Sequence, residues 1–110
     1  MKLSQELLAE LTTNCRNWDT SELFQLIDEL IITDCWKITF SKEIDQTAIY
    51  YEVDAKLFQG QVLITLNFMD LFKIYYIKDD KVVEIKNDVY LDDLLMSIDE
   101  KLVQGAPYFF

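Results

Sequence analysis

The groups in this chain that can do chemistry are carboxylates and two thiols, because it contains no histidine. That absence removes Ser-His-Asp and Cys-His nucleophilic arrangements and every histidine-containing metal site. Cys15 and Cys35 form no CxxC pair, so a structural zinc site is not expected, and the two are read as buried thiols. Gly60 and Gly105 are isolated, which excludes both the phosphate-binding loop and the dinucleotide fingerprint. No stretch alternates oxygen ligands around a glycine as a calcium loop requires. What remains is carboxylates, closest together at Asp79-Asp80 and Asp92-Asp93. General acid-base work needs two carboxyls converging on one bond, whereas sequence neighbours point in different directions. A solvated turn and the outer face of a helix account for these pairs. The expectation is a chain without catalytic residues, metal or cofactor that acts by binding.

These carboxylates belong to a larger imbalance. Twenty acids against ten bases give a formal net charge of −10. Residues 1–34 carry seven acids against Lys2 and Arg16, residues 35–88 nine acids against seven lysines, and residues 89–110 four acids against Lys101. The two ends therefore carry most of the field. Phosphate recognition needs a basic surface, so direct nucleic-acid binding and attachment to anionic membranes are not expected. The opening stretch MKLSQELLAELTTN is interrupted by Glu6 and Glu10 and does not read as a signal peptide. No apolar run approaches the ~20 residues of a membrane span, and the expected location is cytoplasmic. With 51% apolar and 14% aromatic residues among 110, residues 1–110 read as a single domain able to bury its own core.

The elements that position these groups follow from periodicity. Leu3, Leu7, Leu8 and Leu11 share one face of a helix over residues 4–13, with Ser4 as its N-cap. Asp19 and Glu22 have capping-box spacing at the start of a second helix, which bears Leu23, Phe24, Ile27, Leu30 and Ile31 and should end near Thr33-Asp34. From Cys35 the period becomes two. Trp36, Ile38 and Phe40 form one strand, and SKEIDQ is a polar connection. The next strand turns Ile49, Tyr51, Val53, Ala55 and Leu57 one way, and Gln59-Gly60 is a tight turn. Val62, Ile64, Leu66 and Phe68 then share a face, LFKIYYIK alternates again, and Asp79-Asp80 connects it to KVVEIK. Asn87-Asp88 caps a final helix whose apolar face is Leu91, Leu94, Leu95, Ile98 and Leu102, with Asp92, Asp93, Asp99 and Glu100 outward. Gly105 and Pro107 stop that helix, and Tyr108, Phe109 and Phe110 are expected to dock against the fold.

The fold class is α+β: two N-terminal helices, an antiparallel meander of about five strands, and one C-terminal helix packed on one face of the sheet. If all helices cover that face, the other presents Tyr50, Leu63, Tyr75 and Ile77 with Glu52 beside them. Tyrosine clusters of this kind favour protein interfaces. Partner contact is therefore assigned to Tyr50, Glu52, Leu63, Tyr75 and Ile77, together with the acids Asp92 and Asp93. Pairing of two copies into a homodimer is the competing use of the same face. The functional expectation is a small acidic non-catalytic protein-binding module, an inhibitor or immunity-type protein or a chaperone or assembly factor, whose partner has a basic surface. The alternative is a small-ligand binding domain with an aromatic-lined cavity between sheet and helices.

Overall fold

Four short turns connect the strands, and three of them rest on aspartate's tolerance of left-handed backbone. A computed structural model describes residues 1–104, without the side chains of 31–33. Five strands, β1 (Ile38–Ile44), β2 (Ala48–Asp54), β3 (Gln59–Leu66), β4 (Phe72–Lys78) and β5 (Lys81–Val89), form one antiparallel sheet in sequence order. Asp45-Gln46 and Asp79-Asp80 have positive φ at both positions (43° and 56°, 54° and 60°), the signature of the primed hairpin turn. Between β3 and β4, the Asn67 side chain accepts from the amides of Met69 and Leu71 at 2.8 and 3.1 Å. These locally satisfied turns leave the strands no topology but a meander.

Helix α1 (Gln5–Thr12) starts at Ser4, whose hydroxyl accepts from the Leu7 amide, and α2 (Thr20–Glu29) starts at Asp19, which accepts from Ser21. Helix α3 (Leu91–Asp99) continues into a π-helical turn, Glu100–Gln104. One sheet face carries Ile49, Tyr51, Val53, Val62, Ile64 and Ile74 against Leu23 and Ile27 of α2, Trp36, and Leu94 and Ile98 of α3. The other carries Ala48, Tyr50, Leu63, Tyr75 and Ile77 against Leu3 and Leu8, with Leu7 and Leu11 packed beside them. The α+β class and the C-terminal helix on the sheet are as expected, but the helices do not share a face. α1 closes the second one. Both α1 and α2 carry an apolar stripe, and periodicity does not say which side of a sheet a stripe meets.

Several boundaries differ for identifiable reasons. α2 ends at Glu29, where Leu30 turns extended (φ −81°, ψ 131°), and a 3₁₀ helix, Ile31–Trp36, carries Trp36 into the core. A left-handed Lys37 then begins the sheet. A register shift between Ile38 and Phe40 turns Phe40 to the α1 face, where its ring meets Tyr50 edge-on at 6.1 Å. The stretch Ser41–Ile44 is strand, not connection, and Leu57 and Phe68 lie exposed in turns. Gly60 is no turn either: it pairs with Val53 inside β3, and a Cβ there would stand 2.4 Å from the Ile77 carbonyl oxygen. Glycine is required at this position by close backbone approach. Asn87-Asp88 belongs to β5 rather than capping α3, whose N-cap position is Tyr90 without a side-chain bond. The expected docking of Tyr108–Phe110 and the Gly105 stop lie outside the described residues.

Asp99 is the clearest departure. Expected outward, it is 4% exposed and accepts from Trp36 Nε1 at 2.8 Å, with Gln104 Nε2 as a second donor. An indole cannot be buried without an acceptor for its N–H. The carboxylate at the end of α3 supplies one, and the wider π turn brings Gln104 round to share it.

Candidate functional site

The tyrosine face proposed from the sequence is closed. Tyr50, Leu63 and Ile77 are fully buried, and Tyr75 nearly so, beneath α1 and the N-terminal segment. Glu52 is 7% exposed and accepts from the Tyr50 hydroxyl and from the Lys2 amide, both at 2.7 Å. Asp80 accepts from the Ser4 amide at 2.9 Å. These two carboxylates satisfy backbone donors ahead of α1, and so hold the segment that seals the face. The residues thus converge as expected, but on their own chain.

Protonation states follow from this closure. Burial pushes the Glu52 pKa up, but the Tyr50 hydroxyl, the Lys2 amide and the charges of the N-terminal ammonium and Lys2 outweigh it. The net value lies below the ordinary carboxylate range. For Tyr50 all the main causes act upward: burial first, then the hydrogen bond and charge of Glu52. Tyr50 therefore stays a donor. A carboxylate with a depressed folded pKa stabilises fully above its unfolded value, ~4.3, and that contribution disappears as pH falls through the folded value. Glu52→Gln is accordingly expected to be less stable than the parent at neutral pH, with the gap in denaturation midpoint shrinking below about pH 4. A gap unchanged down to pH 2 would remove Glu52 from the account.

The remaining sequence candidates stand at the surface. Asp92 and Asp93 are exposed in the first turn of α3, where carboxylates complement the helix dipole. Asp79 and Asp80 form the β4–β5 turn. Cys15 and Cys35, expected as buried thiols, are free, Cys15 half-buried and Cys35 exposed; burial raises the Cys15 pKa, against a smaller backbone hydrogen-bond effect, and its Sγ is 3.1 Å from the Thr12 carbonyl oxygen. That places it on the unreactive side of thiol chemistry. Among the described residues no group of three or more Cys, Asp or Glu side chains is placed to hold a metal ion, and no helix is long and apolar enough to cross a membrane.

Two concave sites flank α2. On one side a groove of about 550 Å³ lies between α2 and the start of α3, floored by Trp18, Leu23 and Phe72 and flanked by Leu26 and Leu91. Trp18 is fixed there by its Nε1–H, which donates to the Thr47 carbonyl at 2.8 Å, and by edge contact with Phe72 at 5.3 Å. Leu26 and Leu91 are 45% and 63% exposed, and Asp19, Glu22 and Glu29 line the same groove. On the other side a cleft of about 390 Å³ opens over Tyr51 between α2, the 3₁₀ helix and β1. Compared with protein-family models, curated proteins and solved structures, the chain matches none. A signal for the groove was present. Leu91, expected on the inner face of α3, is the first residue of the helix and stands mostly exposed at the groove's edge.

Proposed function

We propose that this chain is a non-catalytic protein-binding module that captures a partner through the groove between α2 and α3. The observation that carries this reading is the pairing of an apolar floor with an acidic rim. Leu26 and Leu91 leave large apolar surface in water beside Trp18 and Phe72, and every charged residue lining the groove is an acid. Contiguous apolar surface of this kind marks interaction sites. The rim favours one partner chemistry: a segment whose apolar side chains are flanked by lysine or arginine, arriving under electrostatic attraction. Asp92 and Asp93 lie next to Leu91 and extend the negative field along α3. The net charge of −10 supports the same choice and disfavours nucleic acid. An inhibitor, immunity-type or assembly role in the cytoplasm is the setting this proposal implies.

The test uses side chains that contribute little to the core. Leu26→Ser with Leu91→Ser is expected to leave the melting temperature within about 4 °C, since two exposed substitutions together usually cost under ~1 kcal/mol. A protein captured from source-cell extract by the parent chain is expected to be lost by the double variant, and its association with the parent to slow steeply with salt. Equal capture by both chains would end the groove reading. The second reading, a ligand site between sheet and helices, is favoured by one observation, the cleft over Tyr51.

A further inference from the structure

β1 turns Ser41 and Glu43 toward the α2 layer, opposite Tyr51 and Ile49 of β2. A serine cannot fill the space between an edge strand and a helix, and a cleft opens where an apolar side chain would have closed the layer. Phe24 and Asp28 form its α2 wall, Asp34 and Lys37 its 3₁₀ end, and Tyr51 lies beneath. Tyr51 is 3% exposed, yet its hydroxyl has no hydrogen-bond partner among the described residues. A buried hydroxyl in this state is rare, because it has left water without compensation. Its ring stacks nearly parallel to Phe24, at 8° and 6.1 Å. The charges of Asp28 and Glu43 act on the hydroxyl, Asp34 also lines the cleft, and Lys37 is the one cation in that lining. Burial, then the charges of Asp28 and Glu43, raise the Tyr51 pKa and keep the phenol neutral.

We propose that this cleft binds a guanidinium group, with the Tyr51 hydroxyl oxygen accepting one N–H, Asp28 accepting another, and the aromatic wall of Phe24 taking the flat face. A planar, weakly hydrated cation suits aromatic walls and a carboxylate better than a compact ammonium does. The volume accommodates the group with its methylene stem. This site is on the opposite flank of α2 from the Leu26–Leu91 groove, so the two proposals succeed or fail separately. The guanidinium has two sources, a free guanidino compound or an arginine side chain of a protein.

Titration of the ¹⁵N-labelled chain at low ionic strength with N-acetyl-arginine amide, N-acetyl-citrulline amide and methylguanidine tests the proposal. The arginine probe is expected to give saturable shifts at Phe24, Asp28, Lys37–Ser41 and Tyr51. The neutral citrulline probe should bind about tenfold more weakly or not at all, the loss expected for a charged hydrogen bond. Asp28→Asn and Tyr51→Phe are each expected to weaken the arginine probe by a similar factor. Tyr51→Phe should also keep or raise the melting temperature, because it removes an uncompensated hydroxyl. Equal binding of methylguanidine identifies a free compound as the source, and dependence on the acetyl-arginine stem identifies an arginine in a chain. Equal shifts with arginine and citrulline probes, or a marked fall in melting temperature for Tyr51→Phe, would overturn the assignment.

Discussion

Tyr50→Ala is expected to destabilise the chain by about 3–5 kcal/mol, the range for truncating a buried aromatic side chain. At roughly 4 °C per kcal/mol for a chain of this size, thermal unfolding should fall by about 12–20 °C. Three losses combine. The ring is fully buried between the sheet and the α1 segment, Phe40 packs its edge against it, and its hydroxyl donates to Glu52. Its removal leaves a cavity and takes from Glu52 a donor on the same oxygen that accepts from the Lys2 amide. Tyr50→Phe separates these contributions: it keeps the packing and should cost about 1.5–3 kcal/mol, the loss of one hydrogen bond to a charged acceptor. A Tyr50→Ala variant that melts like the parent would mean that α1 does not cover the sheet in solution, and would reopen that face as a binding surface.

Asp99→Ala is expected to cost about 2–3 kcal/mol, although a reading of helical periodicity places this acid in water. The substitution strands the Trp36 indole N–H in the core, since Asp99 Oδ1 at 2.8 Å is its acceptor. It also frees Gln104, whose amide donates to the other carboxylate oxygen. Denaturant unfolding followed by tryptophan fluorescence reads the change directly. A double-mutant cycle with Trp36→Phe isolates the pair: the two substitutions should be sub-additive, because either one alone removes the same hydrogen bond. Full additivity, or a loss below about 0.5 kcal/mol for Asp99→Ala, would place the carboxylate in solvent.

Both results turn on residues whose type was legible but whose surroundings were not. Tyr50 and Tyr75 were correctly placed on one face, opposite Ile49 and Ile74, because strand alternation is local. Their exposure was misjudged because coverage depends on the path of the chain before α1. Asp99 illustrates the same limit on a helix. At 100° per residue Asp99 lies at the edge of the apolar stripe, four residues after Leu95, and a buried indole sixty-three residues earlier in the chain decides for the inside. Of the site residues, Asp92 and Asp93 are at the surface as read. Which residues line the groove and the Tyr51 cleft is not legible in the sequence, because each is a gap between elements.

By itself, the amino-acid sequence determined the element types, the meander and the exclusion of histidine chemistry. Period two against 3.6, left-handed aspartates at hairpins and helix caps are all properties of a few neighbouring residues. The tertiary structure alone decided which face α1 seals, that Asp99 is buried, and that Tyr51 lies under a cleft. An amphipathic stripe records that an element has an apolar side, with nothing to say what meets it. Here that was decided by bonds from the Lys2 and Ser4 amides to Glu52 and Asp80, 50 and 76 residues away, where a backbone donor leaving water must find an acceptor and takes the one the folded sheet presents.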